Sequence, residues 1–295
     1  MSDVLVRPML EGDLQAFADI TAASYYEVDA ATFQRAWPDP VRRPAARNGH
    51  WIGRTGRALV TDPGGCWVAE VDGEVVGGAV SRVRELMWML ASFAVRPDQQ
   101  GAGIGTHLLA AAMHHGRGCL RGMFAASADP GAVRRYRLAG FDLHPQMLLS
   151  GVVDRSAIPV IERVREGNAA DVDLLNSVDR QTRGAAHLSD HELLLAQFRL
   201  VVSDKSTGSG YAYVDDDGSP TLLAATNRRT ASALMWEALA SSAPGAQVSV
   251  HHITAANAWA LDVGLAARMS IHQSGYLCVR QMKPPAPYLH HGSLL

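Results

Sequence analysis

The sequence is poor in the residues that would tie it to a secreted, a nucleic-acid-binding or a membrane-spanning role. Its three cysteines, Cys66, Cys119 and Cys278, are far apart and odd in number. They form neither a disulfide framework nor a zinc spacing, so they are expected to be reduced and structural. Lysine occurs only at Lys205 and Lys283, and arginine carries the remaining positive charge. The formal net charge of −2 argues against a nucleic-acid platform or a binder of anionic membranes. No apolar run reaches transmembrane length, and the first residues lack the apolar core of a signal peptide. A soluble, cytoplasmic protein is expected. The 295 residues are 47% hydrophobic, enough for one large domain or two ordinary ones.

Glycine and small residues concentrate in one place. The stretch Leu90–Ala112 reads as an apolar strand, a stop at Arg96-Pro97, a turn holding Gly101, Gly103 and Gly105, and a helix from Thr106. Proline removes an N–H and biases its predecessor to extended backbone, so the strand should end near Val95. Glycines at alternate positions let several N–H groups point outward at a helix start, where the helix dipole also favours an anion. The loop lacks the Gly-Lys-Ser/Thr ending of a nucleotide P-loop and the third glycine of a dinucleotide fingerprint.

Around it, strands are predicted at Val4–Pro8, Cys66–Val71, Glu74–Arg84 and Glu85–Val95, with Asp72-Gly73 as a hairpin turn. Asp13 should cap a helix from Leu14 to about Tyr25. A helix is expected near Gly53–Leu59, and aromatic residues Tyr25, Tyr26, Phe33, Trp37 and Trp51 lie among Pro38, Pro40 and Pro44. Helix Ile104–His114 precedes a buried strand at Leu120–Ala126. Asp129-Pro130 then opens a helix ending at Gly140-Phe141.

Val95, Pro97, Gln100, Gly103 and Gly105 together resemble motif A of the GNAT superfamily of N-acetyltransferases, and Tyr136 followed by Gly140-Phe141 resembles its motif B. The second half repeats parts of the first. Val6 to Asp13 is echoed by Arg163 to Asp171, and the helix ending in Gly140-Phe141 is echoed by Asn257–Leu265, but no glycine loop precedes the helix Ala231–Ser241. The resemblance implies an α/β (α+β) chain of two tandem GNAT-like domains, each a mixed, mostly antiparallel sheet flanked by helices. Residues 1–153 would hold the acetyl-CoA site, and 154–295 would be a degenerate copy with a Pro-rich tail lying along the surface.

The resemblance further implies that acetyl-CoA is the co-substrate, with no metal. Its phosphates would meet Gln100, Gly101, Ala102, Gly103, Ile104, Gly105 and Thr106, and its pantetheine arm would lie along Phe93, Ala94 and Val95. Asp129 stands where the family often has an asparagine that touches the cofactor. Tyr136 would be the general acid. The family's strand glutamate is missing, which leaves Glu85, a water relay, a residue of the Tyr25–Trp51 region or of the second domain, or the Leu295 carboxylate as the base. The expected acceptor is the primary amine of a small molecule, with no nucleic acid or membrane partner, and a homodimer is compatible with the sequence. An acyl-CoA-binding or regulatory module without catalysis, and a protein or peptide N-acetyltransferase, are the competing readings.

Overall fold

The computed structural model describes residues 4–32 and 42–295. Phe33, Trp37, Pro38 and Pro40, named above, lie outside that range. Contacts divide the chain into Met1–Phe141 and Asp142–Leu295.

In the first unit the elements are β1 (Val4–Pro8), α1 (Leu14–Thr32), α2 (Ala45–Thr61), β2 (Cys66–Val71), β3 (Glu74–Arg84), β4 (Met87–Val95), α3 (Ile104–His115), β5 (Arg121–Ala126) and α4 (Pro130–Leu138). The strands lie in chain order, β1 to β4 antiparallel and β5 parallel to β4. Two adjacent glycines in β3 set the helices on opposite faces, because successive strand residues point opposite ways. A β-carbon at Gly77 would stand 3.2 Å from Leu108 of α3, and one at Gly78 would stand 2.8 Å from the Phe17 ring of α1. Phe17 also meets Trp51 of α2 edge to face at 5.3 Å, within a core that includes Met9, Ile20, Cys66, Val68 and Val80.

Asp62 is buried at 4% exposure between α2 and β2. It accepts from the Val83 amide at 2.9 Å and pairs with buried Arg84 at 2.9 Å. Burial alone would raise its pKa, but His115 at 3.6 Å, Thr61, Arg84 and the Val83 N–H outweigh that and hold it well below the usual carboxylate range. The lowered folded-state pKa means that this contribution to stability is complete above the unfolded value of about 3.9 and fades as acid titrates the folded group. Asp62→Ala is expected to destabilise the fold by about 3 to 5 kcal/mol, because buried Arg84 loses the carboxylate it pairs with. Urea unfolding at pH 7 measures it, and a loss within experimental error would show the pair to be dispensable.

The second unit holds β6 (Asp142–Val152), β7 (Arg165–Glu166), α5 (Val172–Thr182), α6 (Asp190–Leu195), β8 (Arg199–Lys205), β9 (Gly208–Val214), β10 (Pro220–Ala225), α7 (Arg228–Ala240), β11 (Gln247–Thr254), α8 (Ala258–Ala266), β12 (Ser270–Arg280) and β13 (Tyr288–Leu289). Strands β7, β8, β9, β10 and β13 form one antiparallel sheet, and β6 pairs antiparallel with both β11 and β12. Those pairings explain why the division falls after Phe141 and not near Val153. Strand β6 spends its hydrogen bonds on β11 and β12, so a cut at Val153 would separate it from its ladders.

The repeat read from the sequence is reproduced atom by atom at the start of each unit. Arg7 holds Asp13 through two N–H···O bonds of 2.8 and 2.9 Å, and the Leu10 amide donates to Asp13 at 2.7 Å. Arg165 likewise holds Asp171, whose Oδ2 accepts from the Asn168 amide at 2.9 Å. The two guanidiniums lower the pKa of both aspartates. A second equivalence lies at the core. A β-carbon at Gly77 would stand 2.9 Å from the Ala94 oxygen and close to Leu108, and one at Gly210 would stand 2.8 Å from the Ala224 oxygen and 2.9 Å from Leu234. Thus β9, β10 and α7 correspond to β3, β4 and α3.

The tail does not lie along the surface. Tyr288, Leu289, His290, Leu294 and Leu295 are buried. Tyr288 and Leu289 pair with Ala224 and Leu223, and the Ala225 amide donates to the Pro287 oxygen at 3.2 Å. His290 stacks on His252 at 4.1 Å and meets Gln146 at 2.6 Å. Composition indicated an extended tail, and the free edge of β10 supplies the ladder it joins. No helix among the described residues is long and apolar enough to cross a membrane.

Candidate functional site

Strand β4 pairs with β5 only from Met87 to Met89, opposite Arg121 to Met123. Further along, the consecutive β3 residues Ser81 and Val80 face Leu90 and Ser92, leaving Ala91 as a bulge. A bulge bends a strand and increases its twist, so β4 diverges from β5 over Ser92–Val95. The open edge leads through Pro97 into the glycine turn. Gly101 and Gly103 both have φ of +85°, where other residues are strained, and nothing lies within 4 Å of a β-carbon on either. Gly103 begins α3 without a side-chain cap. Among the described residues the N–H groups of 101–105 make no hydrogen bond, and Ala102 beside them is exposed. The Gln100 side chain closes the turn by donating to the Val95 oxygen at 3.0 Å. Ile104 and Gly105 are buried and Thr106 is exposed, its amide bonded back to Gly103.

Tyr136 stands at the mouth of the divergence. It is buried, with its ring 4.6 Å from Phe124 of β5 and 6.1 Å from Phe93 of β4. The structure therefore brings Phe93, Ala94, Val95, the glycine turn and Tyr136 together. Asp129 is occupied elsewhere, its Oδ1 capping α4 by accepting from the Ala132 amide at 2.6 Å. Glu85 is not brought in. It is exposed at φ +54° in the turn between β3 and β4, eight residues before Phe93 and so roughly 26 Å away along an extended strand. The sequence pattern ran it into the strand, whereas the hairpin needs two turn residues there. The main-chain oxygen of Leu295 is engaged within the second unit by Arg183.

Two residues at this site were not singled out for these contacts. The Tyr25 hydroxyl lies 3.4 Å from the Phe93 nitrogen and 3.5 Å from its oxygen, on the strand's exposed polar groups. Arg43 stands over the Tyr25 and Trp51 rings at 6.0 and 5.3 Å, and Trp51 donates to Ser92 at 3.1 Å. Arg135 of α4 lies against the first turn of α3. A β-carbon at Gly105 would stand 3.0 Å from its guanidinium carbon and 3.3 Å from the Phe93 ring. A Tyr-Arg-rich stretch carries no signal that separates one arginine from its neighbours.

The second unit keeps the framework and fills the gap. Tyr288 and Leu289 lie on the edge of β10 that corresponds to the open edge of β4. Asn257 precedes α8 as Asp129 precedes α4, and it grips the tail by donating to the Pro285 oxygen at 3.0 Å and accepting from the Tyr288 amide at 2.8 Å. Asn227 caps α7 by accepting from the Thr230 amide at 2.9 Å, so that helix start is already used. Arg228 and Arg229 are exposed there. Trp259, on the helix that echoes Tyr136's, is buried and donates to Asn257 at 3.1 Å.

Among the described residues, Asp179, His187 and His191 bring ligand-type atoms within 4.8 Å of one another, all buried. Asp179 Oδ2 lies 2.7 Å from His187 Nδ1 and 3.2 Å from His191 Nε2, and the Tyr211 hydroxyl donates to Oδ1. Burial and Arg183 push His187 down to about 4, which leaves it neutral at pH 7. With the carboxylate surrounded by donors and a guanidinium nearby, the arrangement is that of a hydrogen-bonded network, and a dication there would meet the Arg183 charge.

Residues 22–141 match the model of the Acetyltransferase (GNAT) family. A mycothiol acetyltransferase of Streptomyces coelicolor is 34% identical over 93 residues, covering 30% of this chain and 30% of that protein. The chain thus spans less than a third of that relative's length. Among solved structures, a Pyrococcus horikoshii protein described as a candidate acetyltransferase aligns over 99% of this chain and 95% of its own, with a TM-score of 0.75 at 18% identity. A tandem GNAT protein of the clavulanic acid biosynthesis pathway aligns over 96% of this chain and 99% of its own, with a TM-score of 0.56 at 12% identity. Residues 22–141 are thus similar to the GNAT acetyltransferase family, and the chain shares the fold of the solved tandem GNAT protein.

Proposed function

We propose that the chain is an acetyl-CoA-dependent N-acetyltransferase acting on the primary amine of a small molecule. The observation that carries this reading is the edge of β4 that no strand covers past Met89, running into unpartnered N–H groups at the glycine turn and flanked by Tyr136. The edge can pair with the amides of the pantetheine arm, and the turn with the pyrophosphate. The amine nitrogen forms its bond to the thioester carbonyl carbon, and the C–S bond breaks. The Phe93 amide, now beside the Tyr25 hydroxyl, lies where an oxyanion needs a donor. Tyr136 gives its proton to the leaving thiolate. The similarity to a protein named for acetylating mycothiol supports a small-molecule acceptor. With Glu85 remote, we assign the acceptor as arriving neutral, with water taking the proton that its nitrogen loses on attack and returning one to Tyr136.

The test is thiol release from acetyl-CoA across a panel of amines, with calorimetry of acetyl-CoA binding alongside. Turnover with at least one small amine and one site per chain are expected. One site follows from the second unit, where the tail strand lies on β10 and Asn227 caps α7. Two sites would overturn that assignment. Binding without turnover on any amine would favour a non-catalytic acyl-CoA-binding module, the reading that the remote Glu85 supports.

A further inference from the structure

We infer that Arg135 is a positioning residue that holds the pyrophosphate of the bound acyl-CoA against the glycine turn; this rests on the acyl-CoA reading above. Helix α4 carries Arg134, Arg135 and Arg137 and no carboxylate from Pro130 to Gly140. The three arginines face different surroundings. Arg134 is exposed, and Arg137 donates to the Phe141 oxygen at 3.0 Å, which ties down the helix end. Arg135 is half-buried and packs on the first turn of α3, with Cζ and Nη1 each 3.0 Å from where a Gly105 β-carbon would stand.

That position is electrostatically odd for a cation. The start of a helix carries partial positive charge and outward N–H donors, and a guanidinium beside it meets charge of its own sign. Among the described residues no carboxylate or carbonyl pairs with Arg135. An anion lying between the guanidinium and the N–H groups of 101–105 turns this repulsion into attraction on both sides. A pyrophosphate suits it, since guanidinium binds phosphate oxygens through two parallel N–H groups. The arrangement also accounts for glycine at 105. The buried residue at that place must leave room for both the guanidinium and the Phe93 ring.

The test measures dissociation constants of wild type, Arg135→Gln and Arg135→Lys for coenzyme A, dephospho-coenzyme A and pantetheine, by calorimetry or by ligand-observed NMR for the weakest. Arg135→Gln is expected to weaken coenzyme A and dephospho-coenzyme A by the same factor, about 10- to 100-fold, the range of one charge-assisted hydrogen bond. Pantetheine should be unaffected, and Arg135→Lys should recover part of the loss. Equal weakening of all three ligands would mean a packing role and overturn the assignment, as would no weakening of any. A loss confined to coenzyme A would place Arg135 on the 3′-phosphate and overturn the pyrophosphate contact. If wild type binds coenzyme A no better than pantetheine, the acyl-CoA reading itself falls, and Arg135 with it.

Discussion

Gly103→Glu is expected to raise the dissociation constant for acetyl-CoA at least 100-fold while the protein still folds. Gly103 begins α3 at φ +85°, a left-handed conformation that costs a side-chain-bearing residue about 1 to 2 kcal/mol. Nothing lies within 4 Å of a β-carbon there, so no core contact is lost and no collision follows. The glutamate places a carboxylate among N–H groups otherwise free to take a phosphate, and this charge would repel the proposed pyrophosphate. Gly103→Ala separates the two effects. It carries the backbone strain without the charge, so its affinity should fall by tenfold or less. Calorimetry on both variants, with circular dichroism to verify folding, measures the contrast. Unchanged affinity in the glutamate variant would remove the pyrophosphate from this turn.

The glycine turn was legible because its requirements are local. Proline stops a strand, glycine permits positive φ, and a small-residue run opens a helix, all within sixteen residues. The segments opening each unit were legible as a repeat, whereas the Arg–Asp pairs within them emerge only from the structure. Glu85 was misplaced because an apolar run does not reveal where a hairpin takes its two turn residues. The tail was read from composition alone, which describes its extended form but not the vacant edge of β10 that accepts Tyr288 and Leu289. Arg135 and Tyr25 reach the site through contacts with segments thirty and sixty-eight residues away, and no periodicity carries such information. Fold and glycine turn are therefore written locally, whereas the groups gathered around the turn are set by how helices α1 and α4 settle on the sheet.

Tyr136→Phe is expected to lower kcat by about 10²- to 10⁴-fold, the usual weight of a positioned general acid, with acetyl-CoA affinity changed less than threefold. The asymmetry follows from how the residue is held. Its ring packs on Phe124 at 4.6 Å and Phe93 at 6.1 Å, contacts that phenylalanine retains, so the divergence of β4 from β5 should survive. Only the hydroxyl is lost, and with it the proton for the departing thiolate. A thiol and a phenol have ordinary pKa values of about 8.5 and 10, close enough for transfer to a fully formed thiolate to cost little. A thiolate that leaves without that proton must be stabilised by solvent, which the buried setting of Tyr136 restricts. The loss should therefore shrink with acyl donors whose thiols are more acidic, because these need the proton less. Steady-state rates on a donor series of graded thiol pKa test this directly. A loss of the same size across the series, or no loss at all, would take Tyr136 out of the proton transfer and leave it as a wedge between the two strands.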